Sequence, residues 1–260
     1  MPFGTFETLL VEERDQVLYV TIQRPQVLNA LNATVLQELH KVLDAAKTQE
    51  QLRALVLAGA GEKAFVAGAD IAAMKELTPV QALQFARLGQ DLTTRLEAAP
   101  FVTIARVQGF ALGGGCELAM ACDVIVASEK ALFGQPEVDL GLIAGFGGTQ
   151  RLARRVGLPV ALEVLCAGRK LNGREAQQLG LVSQVTAPEE LDNYVANLLK
   201  QIRKAAPHAV AESKRLARAS LEQPLHSGLS AEASAFATCF AGHEAREGLN
   251  AFLEKRPAKF

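Results

Sequence analysis

Two carboxylates stand out because of what surrounds them. Glu117 is the one ionisable carboxylate in the stretch Ala111–Cys122 (ALGGGCELAMAC), whose other residues are apolar or glycine. A helix that is apolar all round is normally buried, and a buried carboxylate must be paired, hydrogen-bonded or protonated. Burial raises its pKa toward the range useful for acid–base chemistry; a structural glutamate paired with an arginine fits the same pattern. Twenty residues on, Glu137 sits in Phe133–Gly141 (FGQPEVDLG). There it is either an acid on a loop stiffened by Pro136 or part of a solvated turn.

The glycines before Glu117 add a second kind of chemistry. Gly113-Gly114-Gly115 lies between a strand-like run and a helix, where glycine lets backbone approach a ligand closely. Amides at a helix N-terminus attract an anion, including an enolate oxygen that exists only during reaction; a plain tight turn is the alternative. Gly68-Ala69-Asp70-Ile71 opens a second short helix. Asp70 is expected to be its N-cap, which puts the Ala69 amide in the same setting as that of Gly114. Two such amides can converge on one oxygen.

These segments need elements to hold them. Strand-like runs are expected near Phe6–Val11 and Val17–Gln23, ended by Arg24-Pro25, and again at Arg53–Ala58, Phe101–Val107 and Val124–Ala127. Helical spacing marks residues 32–47, with Asn32 as N-cap, and Val80–Leu96. From Gly148 helices dominate, broken by Gly157-Leu158-Pro159 and the short apolar run Gly180–Val185. Beyond Pro188 the pattern is helical to the end, with breaks near Pro207, Pro224 and Gly242. The expectation is an α/β core over 1–194 and a helical C-terminal region over 195–260.

Composition excludes several classes. The chain has 27 Lys/Arg against 28 Asp/Glu over 260 residues, which lacks the basic footprint of a nucleic-acid binder. Residues 194–260 carry ten Lys/Arg against six Asp/Glu, a mild bias that suits an anionic ligand. The opening MPFGTFETLLVEERDQ has no leader-like pattern, and no apolar run approaches the roughly 18 residues of a membrane span. Cys116, Cys122, Cys166 and Cys239 form no CxxC pair and read as reduced core residues of a cytoplasmic protein, with no metal site. Neither nucleotide fingerprint is present at GAGEKA, and there is no GxSxG elbow. The four histidines lie outside the glycine-rich regions.

Taken together, Arg24-Pro25 with Asn29-Ala30-Leu31, AFVAGADI, GFALGGGCELAMACD, FGQPEVDLGL, GFGGTQRL and the ending EGLNAFLEKRPAKF resemble the crotonase (enoyl-CoA hydratase/isomerase) superfamily over essentially the whole chain. The resemblance implies a spiral core of repeated ββα turns and a helical C-terminal trimerisation region, in trimers or hexamers built as dimers of trimers. It implies an acyl-CoA thioester substrate whose carbonyl lies in an oxyanion hole of the Ala69 and Gly114 amides. Glu117 and Glu137 match the two acids of the hydratases, and Gly145 matches the glycine whose amide positions the attacking water. Backbone at Ala67, Ala69, Asp70, Ile71 and Ala72 is expected to hold CoA, with Phe252 and Lys255 reaching the CoA of a neighbouring subunit. Coenzyme A is then part of the substrate, and no metal or redox cofactor is required.

The implied reaction is reversible addition of water across the 2,3 double bond of a 2-enoyl-CoA. Ala144-Gly145-Phe146 departs from the Pro-Gly of many relatives, and Phe146 is expected to reshape the acyl end of the site. Alternatives within the family are a hydratase for a branched or dicarboxylic substrate such as 3-methylglutaconyl-CoA, or an isomerase using Glu137 alone. An RNA-binding relative would carry a lysine-rich early helix, whereas residues 32–50 offer only Lys41 and Lys47.

Overall fold

A computed structural model describes residues 4–260; residues 1–3, part of the opening segment read as lacking a leader, lie outside them. Strands β1 (Leu9–Arg14) and β2 (Val17–Ile22) form a hairpin. Its two turn residues, Asp15 (φ 51°) and Gln16 (φ 64°), adopt the left-handed backbone that tight hairpins need. The first strand therefore lies three residues later than the expected 6–11, because pairing runs out to Arg14 and Val17 at the turn. Helix α1 (Ala33–Lys47) follows, and the Asn32 side chain accepts from the Val35 amide at 3.0 Å, as its N-cap position requires.

Two parallel ladders carry the core. The larger sheet runs β1-β2-β3-β5-β7-β10, with β3 (Ala54–Gly59), β5 (Val102–Val107), β7 (Val124–Ser128) and β10 (Gln184–Thr186) all parallel to β2. β2, β3, β5 and β7 are nearly continuous apolar runs, as strands covered on both faces must be. The smaller sheet runs β4-β6-β8-β9, from β4 (Ala64–Val66), β6 (Phe110–Leu112), β8 (Leu132–Gly134) and antiparallel β9 (Lys170–Asn172).

The two sheets are filled alternately. β3 leads to β4 and then to α2 (Ile71–Met74) and α3 (Pro79–Glu97). β5 leads to β6 and α4 (Gly114–Ala121), and β7 to β8, a 3-10 turn (Pro136–Leu140), α5 (Gly148–Val156) and α6 (Leu158–Ala167). This is the repeated ββα unit that the resemblance implies. Because β4, β6 and β8 are neighbours, the segments leaving their C-terminal ends are neighbours too: Gly68–Asp70, Gly113–Gly114 and Gln135–Glu137.

After α7 (Gly173–Gln178), helix α8 (Leu191–Ile202) lays Leu191, Val195 and Leu199 on Val17, Ala54, Val56, Ile104 and Val126 of the larger sheet. A division at 194/195 falls inside this helix. The elements that leave the core are α9 (Pro207–Ala219), α10 (Leu225–Cys239) and α11 (His243–Leu253), separated near Pro224 and Gly242 as the sequence pattern suggests. They expose Leu225, Phe236, Phe252 and Leu253, each more than 60 % accessible. Cys116 and Cys122 are buried, but Cys166 is exposed and Cys239 half-exposed, so only two of the four cysteines are core residues. No described helix is long and apolar enough to cross a membrane.

One glycine sets how closely α4 approaches β4. A Cβ on Gly115 would stand 2.1 Å from the Val66 carbonyl oxygen and 2.7 Å from the Val66 Cβ. Helix propensity alone favours alanine there by about 1 kcal/mol, whereas the clash should cost more. Gly115→Ala is therefore expected to destabilise by about 3 kcal/mol in urea denaturation; a gain in stability would show that α4 is free to move away from β4.

Candidate active site

Ala69 owes its place to a polar lock on the other side of the chain. Buried Asn29, with φ 60°, accepts from the Arg24 amide and donates through Nδ2 to the carbonyls of Ala60 and Ala64 at 2.9 and 3.0 Å. Arg24 reaches the Ala30 carbonyl and pairs with Asp70 Oδ2 at 3.0 Å. Asp70 also caps α2 by accepting from the Ala73 amide at 3.3 Å. Its side chain is thus structural, as its N-cap position suggests. Leu31 then bridges to Ala69 by bonding the Gly68 carbonyl and the Asp70 amide, which turns the Ala69 N–H away from Leu31. Ala67, Ala69 and Asp70 are half-buried, while Ile71 and Ala72 are exposed beside them.

The second amide comes from the next turn. Gly113 has φ 50° and donates its N–H to the Gly134 carbonyl at 2.9 Å, which ties the glycine turn to β8. Gly114 opens α4, so its N–H has no acceptor within the helix.

Glu117 lies one turn into α4 and is 1 % exposed. Its Oε1 accepts from two backbone amides, Phe146 at 2.7 Å and Gly148 at 2.6 Å. Burial pushes its pKa from the ordinary 4.5 up to about 7; the Gly148 amide pulls it down, Glu137 pushes it up, and the Phe146 amide and Arg151 pull it down. Glu137 stands in the 3-10 turn after β8, half-buried, and burial raises its pKa as well. Each side chain lies against a different glycine turn. A Cβ on Gly113 would lie 2.7 Å from Glu137 Oε1, and one on Gly148 would lie 2.9 Å from Glu117 Oε1.

Several contributors carry no signal in residue type. The Phe146 and Gly148 amides hold Glu117, yet backbone donors leave no mark in a sequence. Gln135 is 1 % exposed, and its side-chain amide, oriented to satisfy its surroundings, donates to both Glu137 oxygens at 3.1 Å. Gly145 presents its carbonyl to Gln90 Nε2 at 2.9 Å. The Phe146 ring packs edge-on against Phe85 at 5.3 Å, beneath Gly89 and beside Gly114. Phe252, 82 % exposed, and Lys255 stand at the end of α11, apart from the elements that bring the other residues together. Among the described residues no group of three His, Cys, Asp or Glu could hold a metal ion.

A family model described as "Enoyl-CoA hydratase/isomerase" matches residues 12–260. The chain is 42% identical over 248 residues to the "Short-chain-enoyl-CoA hydratase" of Clostridium acetobutylicum, covering 95% of each chain. It is 43% identical over 255 residues to the "Crotonyl-CoA hydratase" of Syntrophomonas wolfei, covering 98% of each. Its fold matches the crystal structure of an enoyl-CoA hydratase from Bacillus anthracis with a TM-score of 0.94, at 33% identity over 98% of this chain and 99% of that one.

The raised pKa of Glu117 makes a signed prediction. The folded protein holds that proton more tightly than the unfolded chain, so the resulting stabilisation is complete below pH 4.5 and is lost as pH rises through about 7. Glu117→Gln cannot titrate. Relative to the parent, its unfolding free energy should therefore rise by about 3 kcal/mol between about pH 4.5 and pH 8, read by urea denaturation across that range. A difference that stays flat would mean that Glu117 ionises normally in the fold.

Proposed function

The chain belongs to the enoyl-CoA hydratase/isomerase family, and we propose that it acts as an enoyl-CoA hydratase, a hydro-lyase that reversibly adds water across the 2,3 double bond of a 2-enoyl-CoA. The observation that carries the reading is that Glu117 sits one turn into the helix that Gly114 opens, Glu137 Oε1 lies against Gly113 just before it, and the Gly114 amide has no partner within that helix. An isomerase using Glu137 alone has no need of the second buried acid.

The chemistry follows from the placement. The thioester carbonyl sits between the Ala69 and Gly114 amides, which withdraw electrons and make the β-carbon electrophilic. Water is a poor nucleophile, and Glu117 takes its proton as it attacks that carbon. Oε1 of Glu117 is already occupied by two amides, so Oε2 is the oxygen that receives the proton. The negative charge developing on the carbonyl oxygen is held by the two amides until Glu137 delivers a proton to the α-carbon. Burial raises both acids, which lets the pair share a proton near neutrality, one charged while the other is protonated. Gly145 helps to orient the water. No metal or redox group takes part, because every proton and electron pair is supplied by substrate, water and the two glutamates.

Substrate binding uses the backbone from Ala67 to Ala72, with the CoA of one subunit met by Phe252 and Lys255 of another. The exposed apolar side chains of α10 and α11 support a homo-oligomer, a trimer or a dimer of trimers. The Phe146 ring beside Gly114, backed by Phe85, favours a short acyl chain.

Crotonyl-CoA is the substrate to test. Loss of its enoyl-thioester absorbance is expected with the parent protein, and Glu117→Gln or Glu137→Gln should each slow it by about a thousand-fold while leaving the fold intact. A folded, fully active variant of either kind would refute the assignment.

A further inference from the structure

The turn that holds Glu117 is held by its own chain at one end only, where the Gly147 carbonyl accepts the Gln150 and Arg151 amides as α5 begins. Three of the four residues from 145 to 148 are glycine, and Gly147 has φ 107°, so the local chain imposes few limits on its own peptide planes. Its shape is set from outside by donors to a carbonyl on the far side of the turn. The Phe146 carbonyl receives Thr93 Oγ1 at 3.1 Å and Arg151 Nη1 at 2.8 Å. The Arg151 guanidinium lies flush against Gly147, where a Cβ would come within 2.2 Å of Nη1.

Arg151 is itself fixed from α3. Its Nε and Nη2 form a fork on Glu97, at 2.9 Å to Oε1 and 2.6 Å to Oε2. The side chains are only 15% and 25% exposed. Glu97 Oε1 takes a further bond from Arg218 Nη1 of α9 at 2.9 Å, and Arg218 continues to Asp123 Oδ1 and the Ala121 carbonyl. A planar fork of this kind fixes orientation as well as distance.

We infer that Arg151 and Glu97 are positioning residues for Glu117, acting through the Phe146 carbonyl to keep the Phe146 and Gly148 amides aimed at its Oε1. The inference rests on the reading of Glu117 as the base. The pinned carbonyl fixes the Phe146–Gly147 peptide plane, which lies between the two peptides that carry the Phe146 and Gly148 N–H groups and so limits the rotation of both. Without the pin, the glycines let the peptide rotate, and a buried carboxylate that loses a donor shifts toward its protonated form. A base already carrying a proton cannot accept one from water.

The charged and titratable groups around Glu117 are few. α5 contributes Arg151, and Arg155, whose Nη2 binds the Met120 and Cys122 carbonyls; α3 contributes Glu97; the turn after β8 contributes Glu137; α4 itself contributes the Cys116 thiol. β4 and β6 contribute none. Loss of the Arg151 charge alone raises Glu117, so the positioning role is read from Arg151→Lys and Glu97→Gln, which keep that charge; a pair that merely joined α3 to α5 would not raise the Glu117 titration in those two.

The test compares the parent with Arg151→Gln, Arg151→Lys and Glu97→Gln by two readouts. One is the carboxyl titration of Glu117 by carbon NMR in protein labelled at glutamate Cδ, the resonance identified by its loss in Glu117→Gln. The other is the pH profile of kcat and KM for hydration of crotonyl-CoA. In Arg151→Gln and Glu97→Gln, the Glu117 midpoint should rise by about one pH unit. Near neutrality kcat should fall about ten-fold, recovering at higher pH, with KM held within about two-fold. Arg151→Lys, which keeps the charge and loses the fork, should fall between these and the parent. An unmoved Glu117 titration in Arg151→Lys and Glu97→Gln, or a loss of rate that is the same at every pH, would overturn the inference. Should Arg151→Gln fail to fold, Arg151→Lys and Glu97→Gln decide by the same readouts. If the parent does not hydrate crotonyl-CoA, the functional reading fails, and the NMR titration still decides the positioning role alone.

Discussion

A carboxylate buried on an apolar helix needs donors, and much of this molecule is arranged to supply them. Glu117 has no side-chain partner; two backbone amides serve it instead. Backbone amides are fixed dipoles, so they can serve a buried anion only if the turn carrying them is fixed as well. That requirement reaches outward from Glu117 to a glycine turn, to the arginine and threonine that hold its carbonyl, and to helix α3 behind them. Burial still dominates the balance, since the carboxyl remains well above its ordinary value despite two amides and a nearby guanidinium. The result is a group that can gain or lose a proton near neutral pH.

The opposite end of α4 obeys the complementary rule. Carbonyls left over at a helix C-terminus attract cations, and those of Met120, Ala121 and Cys122 are met by Arg155 and Arg218. Lys214 joins them, binding the Phe101 carbonyl at 2.9 Å and Asp123 at 2.7 Å. Since Lys214 and Arg218 both belong to α9, the C-terminal helices are fastened to the core through charge, whereas the face they turn outward is apolar.

Much of the local structure was legible in residue order because local rules decide it. Asn32 caps α1, prolines begin α3 and α9, and the parallel strands appear as short apolar runs. Asp70 is the N-cap its position suggests, although its pairing with Arg24, forty-six residues away, could not be seen. Where tertiary packing decides, the sequence is silent. The strands of the smaller sheet are only three residues long, too short for any period to show. The burial of α8 on the sheet, beginning before residue 195, depends on which sheet face was left uncovered. Nothing in residue order singles out Gln135, whose place against Glu137 depends on the path of the turn after β8.

The alternating course of the chain through two sheets has one further consequence. Each ββα turn places its own groups beyond the end of its short strand: a backbone amide from the first, an amide and a carboxylate from the second, a carboxylate from the third. The ladders that hold the turns together run through β4, β6 and β8, and the components lie beyond their ends. A change of side chain beyond a strand end therefore leaves the ladders between the three turns untouched. Under the proposed function, the carboxylate of the third turn stands on a segment of its own, so a lineage could alter it while inheriting the two amides unchanged.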